Sequence, residues 1–317
     1  MSPTLRARNL SKWFDTEKGS RFVAVKDLSF DLIAGESVAF LGPNGAGKST
    51  TIKILCGILT PSEGSAEVAG CKAGTKNANR ELGLVFGTRS QLYMHMTVVQ
   101  CLNMIAEIYY LTGSSKRSRI DELAQLFEIT DLLNKRVRAL SLGQRMRCEV
   151  VAALLHRPKI LLADEPTIGL DIIAKNRLRE LILRWQKEEK STLLLTSHDL
   201  SDVEALCSRC VLIDHGMKRF DGPIDALKGD LSDLRRVRIT VSDAGTSQLI
   251  NHSRISALSV EPGEEFTHRY EIRTRALPMA EALGQLSVHY GDRLQDIQIN
   301  EVSLEEVLQK RYESHRV

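Results

Sequence analysis

Residues 42–49 read Gly42-Pro43-Asn44-Gly45-Ala46-Gly47-Lys48-Ser49, with Thr50 directly behind them. This GxxxxGK[ST] run constrains the fold more than any other feature of the chain. The apolar residues Val38 to Leu41 before it predict a short buried strand. Thr50 to Leu59 predicts a helix, with Ile52, Ile54, Leu55 and Ile58 apolar. Strand, glycine loop and helix in that order is the setting in which such a loop cradles phosphate. Phosphates need many backbone N–H donors at close range, and glycines permit both the turn and the approach. The helix start adds its positive end. Lys48 can then reach the β- and γ-phosphates, and Ser49 can hold Mg²⁺.

Further buried strands follow, alternating with helical patterns, which suggests an α/β layer structure up to about residue 229. Leu84 to Phe86 is one such strand. Ile160 to Ala163 is another, and it ends in Asp164 and Glu165, with Pro166 turning the chain. A carboxylate at that strand end stands where Mg²⁺ sits in phosphate-loop enzymes, and Glu165 is placed to orient or deprotonate a water. Taken alone, the pair reads equally as a strand-end turn. Leu193 to Leu195 leads into Ser197-His198-Asp199. Parallel strands direct their C-terminal ends to one ligand edge, so His198 is either a structural histidine or a γ-phosphate contact. In Leu140-Ser141-Leu142-Gly143-Gln144, Ser141 is a good helix N-cap ahead of an apolar helix. That segment is either a plain helix start or a set of outward N–H groups.

The chain has 317 residues, which favours two domains. We expect one over 1–229, with a helical subdomain at about 92–150, and a second over 230–317. In the second, Arg236 to Val241, Tyr270 to Arg275 and Leu294 to Ile299 read as strands. Pro278 to Leu286 and a segment opened by Ser303 read as helices, giving a small α+β module without a chemical motif. The 43 basic and 40 acidic residues nearly balance, so there is no electrostatic case for nucleic acid as main partner. The longest apolar run, Val150 to Leu155, is far too short to span a membrane. Arg6 and Arg8 precede no apolar stretch, so no secretory signal is expected. Of the 6 cysteines only Cys207 and Cys210 have metal-like spacing, and no second pair completes a zinc site.

Together the motifs resemble the nucleotide-binding subunit of ABC transporters. The matching segments are GPNGAGKST at 42–50, LSLGQ at 140–144, ILLADEP at 160–166, GLD at 169–171 and TSH at 196–198. The resemblance covers about residues 4 to 228. It implies a phosphate-loop ATPase domain of mixed sheet with a helical subdomain, and ATP with Mg²⁺ as cofactors. It further implies a head-to-tail pair of subunits, expected to be a homodimer. Each ATP would lie between the phosphate loop of one copy and Ser141, Gly143 and Gln144 of the other. Glu165 would be the catalytic base, Ser49 and Asp164 would serve Mg²⁺, and His198 would hold the γ-phosphate. Asp171 would act across the interface. Phe14 matches the position of an aromatic that stacks on adenine, although Phe14 or Trp13 also suits a core.

The expected partner is a separately encoded integral membrane permease, docked near Leu92 to Met96, at the cytoplasmic face of the membrane. The C-terminal module resembles the extension of export ATPases rather than the all-β tail of sugar importers. The alternatives are a family member acting on ribosomes or DNA, and a regulatory module. Neither a second ATPase domain nor an inserted coiled coil is present in the sequence, and Lys48, Asp164, Glu165 and His198 are intact. Three positions depart from the family pattern: Leu142 and Ile168 replace a usual glycine and serine, and the glutamine expected after the 84–86 strand is absent. Counting back from Met96 puts that glutamine's place at Thr88. Gln91 could fold back to supply a Mg²⁺ ligand, or Thr88 could offer its hydroxyl; Gln91 is the preferred expectation because an amide oxygen is the proper hard donor.

Overall fold

The computed structural model describes residues 3–15, 20–229, 233–242, 255–261, 266–301 and 304–313. It divides into two compact units, 1–224 and 225–317. The first unit opens with two long strands, β1 (Leu5–Asp15) and β2 (Arg21–Leu32), paired antiparallel. Then come β3 (Ser37–Leu41), the glycine loop and α1 (Lys48–Leu55). That helix is shorter than the expected 50–59, because the Ile58 and Leu59 N–H groups both turn back to the Lys53 carbonyl. Next are β4 (Glu63–Val68), β5 (Cys71–Lys72), α2 (Lys76–Arg80) and β6 (Leu82–Phe86). Strands β4 and β5 extend the first pair into an antiparallel sheet of order β2-β1-β4-β5.

The helical region contains α3 (Val98–Ile108), started by a Thr97–Gln100 capping box, and α4 (Gly113–Leu126). The helices of this region are not continuous. After α4 only two short 3₁₀ turns precede α5 (Leu142–Leu154). The Val137 and Arg138 N–H groups there bond to the carbonyls of Met96 and Met94, so the segment is held by tertiary partners rather than by its own helix.

The chain then alternates β7 (Ile160–Asp164), α6 (Ile172–Glu189), β8 (Thr192–Thr196) and α7 (Leu200–Leu206). A final hairpin of β9 (Arg209–Asp214) and β10 (Met217–Pro223) leads into the short α8 (Ile224–Lys228). The central sheet has order β10-β9-β3-β8-β7-β6. All its pairs are parallel except the β9–β10 edge, so it is mixed. Strands β3, β7 and β8 within it are buried on both faces, as their continuous apolar runs require. Phe86, Asp164 and Thr196 are level in the register. The loops after β6, β7 and β8 therefore leave the sheet side by side.

In the second unit, β11 (Leu234–Val241), β12 (Ile255–Glu261) and β13 (Phe266–Arg273) precede α9 (Met279–Tyr290), β14 (Leu294–Glu301) and α10 (Leu304–Glu313). The sheet order is β12-β13-β11-β14, all antiparallel. Strand β12 has no counterpart in the sequence reading, and the expected cap Ser303 lies outside the described residues. Val237, Ile239, Tyr270 and Ile272 form the core with Ala282, Leu286 and Tyr290 of α9. Arg236 pairs with Glu271 and with Glu306, which ties β11, β13 and α10 together.

Cys207 and Cys210 are buried and form no disulfide, and among the described residues no group of histidines, cysteines or acids could hold a metal as a cluster. Among the same residues no helix is long and apolar enough to cross a membrane. One packing detail predicts a pH effect. His156, just after α5, stacks on Tyr109 at 3.7 Å and donates from Nε2 to the Leu82 carbonyl at 2.9 Å. Burial pushes its imidazole from 6.5 down to about 4. The unfolded chain therefore gains a proton over this window that the fold resists. Stability is full above pH 6.5 and falls as the pH drops toward 4. His156→Gln keeps a donor for Leu82 and should flatten this slope, read from urea midpoints at three pH values. An unchanged slope would assign the acid lability to other groups.

Candidate functional site

Lys48 opens α1 and is only 9% exposed. Its Nζ donates to the carbonyls of Gly42 (2.6 Å) and Pro43 (3.1 Å), so the loop itself fixes the ammonium. Burial lowers its pKa, and the nearby Glu165 and Asp164 charges act in the opposite direction. Gly47 caps this helix at φ 103°, and a Cβ there would stand 2.5 Å from the Ala24 carbonyl oxygen. Only glycine meets both conditions.

Asp164 ends β7, and its Oδ1 accepts from the Thr196 hydroxyl on β8. The Glu165 N–H donates to the Thr196 carbonyl at 3.0 Å. Glu165 has φ 55°, a left-handed conformation rare for a residue with a Cβ. Such strained positions cluster at functional sites. Its Oε2 accepts from the His198 N–H at 3.0 Å, and Oε1 lies 3.3 Å from His198 Nε2. Oε1 is buried and lacks an aligned hydrogen bond. Burial raises the Glu165 carboxyl above the ordinary glutamate range. This is the direction that suits a general base working near neutral pH.

These groups meet at one cavity of about 400 Å³. Its lining includes Asn44, Gly45, Gly47, Lys48, Ser49 and Thr50 from the loop, with Asp164, Glu165 and His198 from the strand ends. Thr88, Ile168, Phe22 and Ala24 complete it. A glycine loop, a buried lysine and two carboxylates around one space are the groups that a phosphate site with a base beside it requires.

The family model described as ABC transporter matches residues 25–168. The chain is 36% identical over 206 residues to the ABC transporter ATP-binding protein NatA of Bacillus subtilis, covering 64% of this chain and 83% of NatA. It is 33% identical over 248 residues to the linearmycin resistance ATP-binding protein LnrL of the same organism, covering 78% of each. The solved structure of cbiO1 from Clostridium perfringens, described as part of the ABC transporter complex cbiONQ, superposes with a TM-score of 0.64 at 27% identity, over 73% of this chain and 93% of that one. The chain belongs to the ABC transporter ATP-binding proteins. It binds ATP and is an ATPase, and its fold is the α/β phosphate-loop fold of that family.

Not every expected residue of this ABC ATPase reaches the cavity. Gln91 does not. Its Nε2 donates to the Leu84 carbonyl at 2.8 Å and its N–H to Glu149 at 3.0 Å. These bonds turn the side chain back along β6, and the lining residue of that loop is Thr88. The expectation that Gln91 folds toward Mg²⁺ is thus corrected. Phe14 is 39% exposed on β1, directly opposite Phe22 on β2, and it is Phe22 that lines the cavity. The sequence signal for Phe22 was an aromatic two strands wide of the loop, legible only once the β1–β2 register is known.

Gly42, Pro43 and Ala46 shape the loop from behind the lining, with Ala46 buried. Ser141 and Gln144 form a capping box on α5, the Gln144 N–H donating to Ser141 Oγ at 3.2 Å. Gly143 follows in the first turn of that helix. Asp171 caps α6, accepting from the Ala174 N–H at 2.8 Å. None of these four residues lines the cavity of its own chain. In the 92–96 stretch Leu92 is buried, while Tyr93 and Met94 are exposed.

Gly87 makes a sharper prediction. Its N–H donates to the Asp164 carbonyl at 2.8 Å, and a Cβ would fall 1.9 Å from the Glu165 carbonyl oxygen and 2.6 Å from Ile168. Gly87→Ala should displace the acid turn and cut turnover about 10²-fold, the cost of misplacing a catalytic group by about an ångström. ATP binding, measured separately, should persist because the phosphate loop is untouched. Full turnover in this variant would show that the acid turn tolerates the shift.

Proposed function

We propose that this subunit hydrolyses ATP to power export through a separately encoded membrane permease. The observation that carries the reading is the convergence of Lys48, Asp164, Glu165 and His198 on one cavity. Glu165 acts as the base that takes a proton from the attacking water, and the rise of its pKa on burial supports this. His198, beside Glu165, contacts the γ-phosphate, and Lys48 faces the β- and γ-phosphates. Ser49, Asp164 and the Thr88 hydroxyl offer hard oxygen donors, which fit Mg²⁺ better than a softer metal. Mg²⁺ bound there would neutralise charge on the phosphate oxygens.

The protein works as a homodimer in which Ser141, Gly143 and Gln144 of one copy face the ATP of the other. Their absence from the lining of their own cavity supports this division. Asp171, at the start of α6, acts across the same interface. Exposed Tyr93 and Met94 support docking of the permease at 92–96, which would hold the subunit on the cytoplasmic face. Export is favoured by the similarity to LnrL, a linearmycin resistance ATP-binding protein, and by the two helices, α9 and α10, of the C-terminal unit.

The test is purification from detergent-solubilised membranes followed by reconstitution. A co-purifying polytopic protein that stimulates ATP turnover in vesicles and exports a solute is the expected result. Co-purification with ribosomes or DNA, and ATPase stimulated by them instead, overturns the transporter reading.

A further inference from the structure

Glu149 lies on α5, in the third turn after Ser141, and is 3% exposed. A buried carboxylate is costly unless hydrogen bonds or a cation satisfy it. Its donors are the Ser90 hydroxyl and the Gln91 N–H, the latter at 3.0 Å. Among the described residues no lysine or arginine is bonded to it. The Gln91 side chain adds a bond of 3.4 Å to the Glu149 carbonyl. Ser90 in turn accepts from the Leu92 N–H at 3.1 Å, while its single proton goes to Glu149. The loop after β6 is therefore clamped to the helix that begins with Ser141, through one acidic side chain.

The same loop is held at its other end by the bond from the Gly87 N–H to the Asp164 carbonyl. Only Thr88 and Arg89 lie between the two fixed points, and the Arg89 N–H turns back to the Phe86 carbonyl at 3.3 Å. The span between the two anchors is short and is closed by this turn, so Thr88 is held by bonds on both sides of it. Thr88, which lines the cavity, thus stands between an anchor on β7 and an anchor on α5.

We propose that Glu149 is a positioning residue for ATP hydrolysis: by holding Ser90 and Gln91 against α5, it sets where Thr88 stands in the cavity. The inference rests on the reading of that cavity as the nucleotide site. It gives a buried acid in α5 a task that the hydrophobic core would not require. It also explains why Gln91 is spent on the helix and the β6 carbonyl instead of the cavity.

The test uses the full chain, ATP as the probe, and four variants: Ser90→Ala, Glu149→Ala, Glu149→Gln and the Ser90→Ala/Glu149→Ala pair. Turnover, KM for ATP and amide exchange in 87–92 are measured well below the unfolding midpoint. Ser90→Ala and Glu149→Ala should each lower kcat about 10- to 100-fold and leave KM within about twofold. Both should speed exchange in 87–92. The double variant should be no worse than the poorer single one, since both break one contact. Glu149→Gln keeps an acceptor oxygen and should recover most of the rate lost in Glu149→Ala. Ser90 is exposed, so Ser90→Ala decides the matter alone if Glu149→Ala does not fold. Wild-type kcat in Ser90→Ala with faster exchange in 87–92 overturns the proposal, because the clamp would then be open without consequence. A rise in KM alone, or additive losses in the double variant, overturns it as well. Lys48→Ala serves as the separate control: unchanged ATP binding there would instead defeat the cavity reading on which the inference stands.

Discussion

Glu165→Gln should lower ATP turnover by about 10²–10⁴-fold while leaving ATP binding intact. The amide has the shape of the carboxylate and can still accept from the His198 N–H, now at 3.0 Å from Oε2. It cannot take a proton from water. The strained backbone at Glu165 is set by Thr196 and Gly87 rather than by the side chain, so the turn should survive the change. With hydrolysis blocked, the ATP-bound pair of subunits should accumulate and run as a dimer on gel filtration. The wild-type enzyme should also carry an acid limb in its pH profile. Glu165 works only when ionised, and burial raises its pKa, so turnover should fall on acidification earlier than an ordinary glutamate would dictate. That limb should vanish from the residual rate of Glu165→Gln. A variant that keeps full turnover and stays monomeric with ATP would place the base elsewhere.

Lys48→Ala and Ser141→Arg should each abolish turnover, for different reasons. Lys48→Ala removes the buried ammonium that the loop carbonyls hold in place, so nucleotide binding itself should weaken. Ser141→Arg alters a residue outside the cavity of its own chain, so single-copy ATP binding should persist. The arginine also removes the α5 cap, which typically costs about 0.5–2 kcal/mol, so helix content and the melting midpoint need to be followed. A mixture of the two variants should regain activity. In a mixed dimer one of the two sites combines an intact Lys48 with an intact Ser141. Measured ATPase after mixing, with mixed dimers verified by differently tagged subunits, checks this. Zero activity in verified mixed dimers would sink the shared-site arrangement.

Much of the catalytic region was legible because its motifs are contiguous. The strand, glycine loop and helix around Lys48 are local, and so are the apolar strand ending in Asp164 and Glu165 and the capping box at Ser141. Their hydrophobic period and their turn chemistry lie within ten residues of each other. The antiparallel sheet formed by β1 and β2 was not anticipated. Its burial pattern is irregular, and bulges break the register between Ala7 and Trp13. No clean alternation marks such strands in the sequence. Strand β12 was missed as well, and Val137 and Arg138 owe their backbone bonds to Met96 and Met94 rather than to a helical period.

The sequence by itself determined that a phosphate loop, two strand-end acids and a histidine belong to one ATPase domain. Each is encoded by residues that are neighbours in the chain. Only the tertiary structure decided that Thr88, not Gln91, lines the cavity, and that Phe22 lines it where Phe14 does not. It alone decided that Glu149 is a clamp. These outcomes depend on which hydrogen bonds remain open after distant elements have packed. Gln91 turns back to the Leu84 carbonyl of its own strand, and Glu149 finds Ser90 and the Gln91 N–H only when β6 and α5 lie side by side. No local period records that choice, because Ser90 and Glu149 are 59 residues apart and the turn that carries Gln91 back to Leu84 is fixed by the same contact.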